Sequence, residues 1–207
     1  MKQLEKYKVI LWDFDGVIMD SMPIRSKGFE EVLKTYPREQ VNELIAFHDQ
    51  NGGLSRYLKF RYFFEKIRKE KVTETQIQEL AMSFSKIMIS MLINKELFIN
   101  KSVSFIKRNF RNYTFHIVSG SDGAELNYIC KSLNIDHFFS SIQGSPTPKI
   151  ELVNALLTHF EYNNSQVCLI GDSINDLEAA QINGIDFWGF NNNNLKSICQ
   201  NYIETFD

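Results

Sequence analysis

A short apolar run that ends in two aspartates constrains this chain more than any other feature. The run is Val9-Ile10-Leu11-Trp12, and Asp13-Phe14-Asp15-Gly16 follows it. A strand that is apolar on both faces belongs inside a parallel sheet, and such sheets bind ligands beyond the carboxyl ends of their strands. Two carboxylates this close repel each other by about 4 kcal/mol at an effective dielectric of 20. The two carboxylates therefore need a cation between them, a shared proton or a turn that separates them. The alternative without any function is an ordinary solvated turn after a strand.

The same design recurs far downstream. The apolar strand Val167 to Ile170 is followed by a glycine, where the backbone can turn, and then by Asp172 and Asp176 as a helix begins. A helix cap explains Asp172 or Ser173 alone, since either side chain can accept from a free backbone N–H. It does not explain four aspartates at two strand ends. Oxygen-rich carboxylate clusters suit a hard cation such as Mg²⁺.

Two further segments carry groups that suit an anion. The strand Tyr113 to Val118 runs into Ser119-Gly120-Ser121-Asp122-Gly123, whose hydroxyl and backbone N–H groups can face an anion where a helix begins. Lys149 follows a proline-stiffened loop and opens an amphipathic helical pattern. A lysine in the first turn of a helix is unfavourable for the helix dipole, and a neighbouring anion would offset this cost. The alternative is a solvated lysine, which is the commoner case.

Together these four segments resemble the motifs of the haloacid dehalogenase superfamily, and specifically of its magnesium-dependent phosphohydrolases. The motifs stand in the family's order as Asp13-Phe14-Asp15-Gly16-Val17, Val118-Ser119-Gly120, Lys149, and Gly171-Asp172-Ser173-Ile174-Asn175-Asp176. Asp20-Ser21 also matches the phosphoglycolate phosphatase and β-phosphoglucomutase branch. The resemblance predicts an α/β protein, with a doubly wound, Rossmann-like parallel sheet as its core and an inserted α-helical cap.

The resemblance also implies roles for the two acidic strand ends. Asp13 is expected to be the nucleophile that forms an aspartyl-phosphate, and Asp15 the acid that protonates the leaving oxygen and later the base that activates water. The implied ligands of Mg²⁺ are a side-chain oxygen of Asp13, the backbone carbonyl of Asp15 and the carboxylate of Asp172. Dehalogenases of the superfamily lack the second aspartate and phosphonate hydrolases carry a small residue there, so Asp15 disfavours both chemistries.

The remaining motifs are expected to hold the phosphoryl group. By resemblance, Ser119 and the Gly120 N–H bind its oxygens, Lys149 neutralises them, and Asp176 orients Lys149 or a metal-bound water. As an alternative, Asp176 simply occupies the first turn of its helix, which the dipole favours.

Composition fits an enzyme with a packed core and limits the partners. The chain has 207 residues, 43% of them hydrophobic, and its net charge of −2 with scattered Lys and Arg argues against binding to nucleic acid. Cys130, Cys168 and Cys199 show neither paired nor metal-ligand spacing, which favours a cytoplasmic setting. Met1 to Lys6 has no apolar signal region and no apolar stretch can span a bilayer, so no membrane association is expected. We expect a small phosphorylated metabolite as ligand, and a monomer or weak dimer.

The apolar pattern divides the chain in two. From about residue 20 to 96, apolar residues recur at helical spacing, and Pro37 and Gly52-Gly53 separate the helices. Strands and helices then alternate, as is typical of a parallel sheet covered on both faces. We therefore expect a catalytic core of residues 1–19 and 97–207, with residues 20–96 as the cap.

Within the core, the same pattern predicts the later strands. They are a strand that ends at Val118, a short strand from about Phe138 to Ile142, a strand that ends at Ile170, and a final strand from Ile185 to Phe190. The segment Asn191 to Asn194 is expected to be a loop.

Substrate choice is expected to come from the cap. The helix after the paired glycines places Arg56 and Lys59 on one face, where they could meet a carboxylate or hydroxyls of the leaving group. As an alternative, both lie on the solvated side of an amphipathic helix. We favour substrate contact for the two cations. His48 is either a ligand contact or a surface or capping residue, and we favour the second interpretation. Three neighbouring aromatic residues are expected to pack in the core: Phe60, Phe63 and Phe64.

Two classes of function remain open at this point. The first is a phosphatase of a small phosphorylated metabolite, a sugar or sugar-acid phosphate, with a phosphosugar mutase as its mechanistic neighbour. The second is a non-catalytic binding protein that keeps the fold. Intact Asp13, Asp15, Lys149 and Asp172 argue against the second class, since a degenerate relative has no chemical need for all four.

Overall fold

The computed structural model describes residues 2–206, so Met1 and Asp207 of the expected core ranges lie outside the described residues. One six-stranded sheet forms the centre, with the strand order β3-β2-β1-β4-β5-β6 and every neighbouring pair parallel. The strands are β1 (Val9–Trp12), β2 (Thr114–Asp122), β3 (Ser141–Ser145), β4 (Val167–Gly171), β5 (Asp186–Phe190) and β6 (Asn201–Ile203). This is the doubly wound parallel sheet that the sequence predicts.

Eight α-helices accompany the sheet within the described residues. Four lie between β1 and β2 in the chain: α1 (Met22–Val32), α2 (Arg38–Gln50), α3 (Arg56–Tyr62), which continues into a π-helical turn (Phe63–Arg68), and α4 (Glu74–Leu92). The others belong to the alternating part: α5 (Asn100–Asn109), α6 (Gly123–Ser132), α7 (Lys149–His159) and α8 (Ile174–Ile182). The inserted helical cap is therefore confirmed, whereas its bounds of 20–96 stay a prediction. No helix in residues 2–206 has both the length and the apolar character to cross a membrane.

Strand β1 lies at the centre of the sheet because both of its faces are apolar. Ile10 and Trp12 pack into a core cluster on one side of the sheet, while Val9 and Leu11 pack on the other side. This alternation follows the two-residue period of a strand. The chain places β2 and β3 on one side of β1 and then crosses to β4, so the strand order reverses between β1 and β4. Ligands bind at such a switch point in open α/β sheets, beyond the carboxyl ends of the strands.

The cap helices are stabilised by capping and by a buried apolar stripe. Helix α4 begins with a capping box in which Thr73 and Gln76 satisfy each other's backbone N–H groups. Its buried residues recur at helical spacing: Ile77, Ala81, Phe84, Met88 and Leu92. Phe60, Phe63 and Phe64 are buried too, which confirms the packing expected of them.

Several predicted details are wrong. The short strand is β3 at Ser141–Ser145 rather than Phe138 to Ile142, because a 3₁₀ turn at Asp136–Phe138 uses the preceding residues. The strand ending at Phe190 is not the last, since β6 pairs with β5 at the sheet edge, where three residues leave too little pattern to recognise. The expected loop at Asn191 to Asn194 runs into a 3₁₀ turn at Asn193–Ser197.

Candidate active site

The site is built around Asp13, the first residue after β1. Its backbone N–H donates to the carbonyl of Ile170 at 2.9 Å, which extends the pairing of β1 with β4 by one residue. Its carboxylate accepts from Lys149 Nζ at 2.8 Å, and both side chains are buried. Lys149 begins α7, so the structure brings a strand end and a helix start together as the sequence predicts.

Asp176 completes this contact from the first turn of α8. Lys149 Nζ donates to Asp176 Oδ1, while Asp176 Oδ2 accepts from the Ser173 hydroxyl at 2.7 Å and from the Ser173 backbone N–H at 3.0 Å. The two interpretations of Asp176 are therefore compatible, because one carboxylate oxygen caps the helix and the other holds the lysine. Its side chain is fully buried.

The carboxylate of Asp172 lies directly against Gly16, in the loop after β1. Gly16 has a φ of +76°, and a Cβ built on it would lie 1.9 Å from Asp172 Oδ2. Only glycine tolerates both that conformation and that approach. Two asparagine side chains fasten these loops: Asn191 donates to the Gly16 carbonyl at 2.8 Å, and Asn192 donates to the Asp172 carbonyl at 2.7 Å.

The carboxylates of Asp13, Asp172 and Asp176 form a cluster whose nearest oxygens all lie within 4.8 Å of one another. Burial, and then the charge of Asp176, raise the pKa of Asp13 above its usual range, although Lys149 opposes the shift. Burial and the charge of Asp13 likewise raise the pKa of Asp172. Burial alone would lower the pKa of Lys149, but the carboxylates of Asp13 and Asp176 hold it above its usual range. The cluster is thus short of positive charge, even with Lys149 present.

Ser119 and Gly120 lie inside β2, next to β1 in the sheet. The expected strand end at Val118 is wrong, because the strand continues to Asp122 and the helix begins only at Gly123. Ser119 is buried, and its hydroxyl accepts from the Ser121 N–H at 3.2 Å. A Cβ on Gly120 would lie 2.3 Å from the carbonyl oxygen of Gly53, so the cap backbone rests directly on the core backbone here. A cleft of about 220 Å³ opens beside Gly120 between cap and core and includes Lys149 in its wall.

Asp15 points away from Lys149 into a second set of partners. Its carboxylate accepts from Ser21, from Ser121 at 2.5 Å and from Arg25 Nε at 2.6 Å. Burial would raise the pKa of Asp15, but the Arg25 guanidinium and the two hydroxyl hydrogen bonds outweigh burial and hold its pKa below the usual range. Arg25 belongs to α1, so the cap supplies a direct partner of this aspartate.

A buried glutamate extends the network. Glu125, in the first turn of α6, accepts from Arg25 Nη1 at 3.2 Å and from Arg56 Nη1 at 2.5 Å. Arg56 also donates to Ser85 at 2.7 Å, and its guanidinium lies 4.5 Å from the centroid of the Phe84 ring. One core carboxylate therefore binds cations from two cap helices. Sequence patterns do not reveal Arg25 or Glu125, since each looks like an ordinary charged residue on a helix.

Lys59 and His48 are buried side by side within the cap. Lys59 Nζ donates to His48 Nδ1 at 2.8 Å and to the Gly52 carbonyl at 3.3 Å. The solvated alternative for Arg56 and Lys59 is wrong, because only 4% and 2% of their surfaces are exposed. The surface or capping interpretation of His48 is wrong as well, since the ring is buried and packs against Phe29.

The chain matches a family model described as haloacid dehalogenase-like hydrolase over residues 10–190. A phosphoglycolate phosphatase of Haemophilus influenzae is 24% identical over 186 residues, which cover 86% of this chain and 83% of the relative. The fold is similar to that of CbbY from Rhodobacter sphaeroides, solved with phosphate, with a TM-score of 0.76, 14% identity, and coverage of 97% of this chain and 95% of the other. It is also similar to β-phosphoglucomutase from Clostridium difficile, with a TM-score of 0.74, 15% identity, and coverage of 97% and 92%.

Proposed function

The chain belongs to the haloacid dehalogenase-like hydrolases, and we propose that within this family it is a Mg²⁺-dependent phosphatase that acts on a small phosphorylated metabolite through an aspartyl-phosphate. The observation that carries the proposal is the convergence of Asp13, Lys149, Asp172 and Asp176, from three separate segments, at the switch point of the sheet. The names of the similar phosphatases support a phosphorylated acid or sugar acid as substrate. We propose residues 20–96 as the cap, and a monomer or weak dimer as the working form.

In the first step, a carboxylate oxygen of Asp13 attacks the phosphorus and the bond from phosphorus to the leaving oxygen breaks. Asp15 gives its proton to that oxygen. Water then attacks the phosphorus, passes a proton to Asp15 and releases inorganic phosphate together with the Asp13 carboxylate. Arg25 and the two hydroxyl hydrogen bonds favour the ionised form of Asp15 in this arrangement. That form accepts the proton from water, whereas the first step requires Asp15 to carry a proton when the ester binds.

The transferred phosphoryl group needs several donors around it. We assign Ser119, the Gly120 N–H and Lys149 to its oxygens, because Ser119 and Gly120 lie in the second half of β2, which pairs with β1, and Lys149 donates to Asp13. Asp176 is assigned a positioning role, since its bond to Lys149 fixes the direction of the ammonium group. Charge that develops during transfer is stabilised best by donors already in place.

The acidic cluster fits a divalent cation. Three carboxylates have oxygens within 4.8 Å of one another, and two of them have raised pKa values. Mg²⁺ prefers such an anionic set of oxygen ligands. We propose Asp13, Asp172 and the backbone carbonyl of Asp15 as its protein ligands, with Asp176 beside them. The cation would supply the positive charge that lets an anionic ester approach an anionic nucleophile.

Removal of the metal gives a direct test. Incubation with EDTA, followed by removal of the chelator, should abolish phosphate release from p-nitrophenyl phosphate, and Mg²⁺ should restore it in a saturable way. Turnover that survives thorough chelation would contradict the Mg²⁺ dependence. Circular dichroism before and after chelation checks that the fold is unaffected.

The role of Asp15 predicts a dependence on the leaving group. In Asp15→Asn, release of an alkyl alcohol should slow by about 10²- to 10⁴-fold, because the alcohol needs a proton as it departs. The first p-nitrophenolate released per enzyme should appear at nearly the wild-type rate, since that group leaves unprotonated. Rapid-quench and stopped-flow measurements separate these steps from later hydrolysis. Equal losses in both first steps would mean that Asp15 acts by shaping the site instead.

The alternatives receive less support. A phosphosugar mutase must turn a sugar bisphosphate over beside Asp15, where the cavity between cap and core measures only about 20 Å³. A non-catalytic protein has no need for the buried, mutually repelling carboxylates of Asp13 and Asp172, which cost folding free energy. A screen of phosphorylated metabolites for release of inorganic phosphate separates the phosphatase from both.

A further inference from the structure

A small cavity lies beside Asp15, where the leaving group of a phosphate ester would be. The cap contributes Arg25, His48, Arg56 and Lys59 to its wall, and the core contributes Asp15 and the segment Gly120-Ser121. Its volume of about 20 Å³ holds a group of roughly the size of one water molecule. The cavity therefore suits only a short leaving group while cap and core are in contact.

The charges around this cavity do not balance. Arg25 is paired with Asp15 and Glu125, and Arg56 is paired with Glu125, so two guanidinium groups face two carboxylates. Lys59 is a third cation, and its Nζ contacts only His48 and the Gly52 carbonyl; in residues 2–206 no carboxylate lies within ion-pair distance of it. The wall thus carries one positive charge in excess.

Hydrogen-bond donors are also in excess. Three buried nitrogens of wall residues have no partner within the described chain: Arg25 Nη2, Arg56 Nη2 and His48 Nε2. The ammonium form of Lys59 has only donors, so beside it His48 Nδ1 accepts and the neutral ring carries its proton on Nε2. Burial, and then the charge of Lys59, lower the pKa of His48 to about 2, which keeps the ring neutral. A buried donor without an acceptor costs free energy, so a ligand with acceptor oxygens would relieve several such costs together.

Lys59 is the most costly of these groups. Burial, and then the charge of Arg25, lower its pKa to about 7, so the ammonium form is held in the cavity wall at a free-energy cost. A single negative charge on the ligand would offset that cost. A carboxylate has the right charge and is the smallest common anionic group, whereas a second phosphate is larger and carries up to two charges.

We propose that Lys59 is a specificity-determining residue that binds a carboxylate on the leaving group, so that the preferred substrates are phosphate esters of short hydroxy acids. The proposal rests on the phosphatase function proposed above. It makes Lys59 rather than Arg56 the residue that compensates the charge of the carboxylate, because Glu125 already neutralises Arg56. The free Nη2 atoms of Arg25 and Arg56 contribute hydrogen bonds to the same carboxylate.

The test compares two esters that differ in one group. 2-Phosphoglycolate carries the carboxylate, and 2-hydroxyethyl phosphate carries a neutral hydroxymethyl group in its place. Lys59→Met keeps the length and apolar stem of the side chain but removes the charge. It should lower kcat/KM for 2-phosphoglycolate by about 30-fold or more, the loss typical of removing one partner of a buried charged pair. The value for 2-hydroxyethyl phosphate should change less than about threefold, since the neutral ester does not use the ammonium group.

The thermal stability of Lys59→Met provides a second measurement, because the variant should lose activity without losing stability. Removal of a buried and unpaired ammonium should leave the thermal midpoint of the ligand-free protein unchanged or raise it. A merely structural lysine would lower the midpoint when replaced and would reduce turnover of both esters alike. Lys66→Met is the matched control, because Lys66 lies seven residues further along and is exposed; it should alter neither the preference nor the midpoint.

The outcomes separate the two proposals. Failure of the wild type to release phosphate from p-nitrophenyl phosphate with Mg²⁺ would overturn the phosphatase function itself. A wild type that turns over p-nitrophenyl phosphate but shows no preference for the acidic ester, or a Lys59→Met variant that keeps the preference, would overturn the role of Lys59 alone.

Discussion

Asp13→Asn should lose at least about 10⁴-fold in kcat for every phosphate ester, including p-nitrophenyl phosphate, because it removes the attacking carboxylate with almost no change in volume. The loss should not depend on the leaving group, which distinguishes it from the effect of Asp15→Asn. Phosphate release measured under single-turnover conditions checks the result, and mass spectrometry should detect no covalent phosphate on the variant.

The same substitution should not destabilise the protein. Asp13 is buried among other carboxylates, and its raised pKa means that ionising it costs more in the folded than in the unfolded chain. Asp13→Asn removes that cost while Asp176 still pairs with Lys149. The thermal midpoint at pH 7 should therefore stay level or rise. Asp49→Asn, at an exposed position in the cap, is the control and should keep full activity. Appreciable turnover by Asp13→Asn would exclude it as the nucleophile.

Glu125→Leu should destabilise the protein by about 3–5 kcal/mol, the cost of leaving one partner of a buried ion pair uncompensated. Arg25 retains Asp15 in this variant, but Arg56 is left without a carboxylate and keeps only the Ser85 hydroxyl and the Phe84 ring as partners. Urea unfolding followed by circular dichroism measures the free energy of unfolding. Glu151→Leu is the matched control, because Glu151 occupies the same position in the first turn of α7 and is exposed; it should change stability by less than about 0.5 kcal/mol.

The double variant Glu125→Leu with Arg56→Met decides whether the loss arises from the unpaired charge. An apolar pair in place of the buried ion pair should recover most of the lost free energy. The destabilisation of the double variant could instead equal the sum of the losses in free energy of unfolding of the two single variants. In that case Glu125 and Arg56 are not coupled, and the destabilisation has another origin.

The core of the site could be predicted from the sequence because topology places it. Asp13 and Asp172 each follow an apolar strand, Ser119 lies towards the end of one, and parallel strands bring their carboxyl ends to one edge of a sheet. Lys149 and Asp176 each lie in the first turn of a helix on that edge. Apolar runs and turn residues therefore carry most of the information, even though the residues concerned are up to 163 positions apart.

The interface between cap and core could not be predicted in this way. Helical periodicity assigns charged residues to a solvated face, and it fails where a distant residue supplies a buried partner. Arg56 pairs with Glu125 across 69 positions, and nothing around either residue marks that contact. Apolar character is no safer a guide at this interface, since half of the surface of Leu58 is exposed.

The central position of β1 has a consequence for synthesis of the chain. All of its backbone pairing is with β2 and β4, which begin at Thr114 and Val167, about a hundred and more residues later. At a translation rate of 5–20 residues per second, roughly 5–20 s pass between the synthesis of β1 and the synthesis of β2. The cap helices form local contacts during that interval, whereas Val9–Trp12 stays an unpaired apolar strand. This segment is therefore where a nascent chain is most exposed to aggregation and to capture by chaperones.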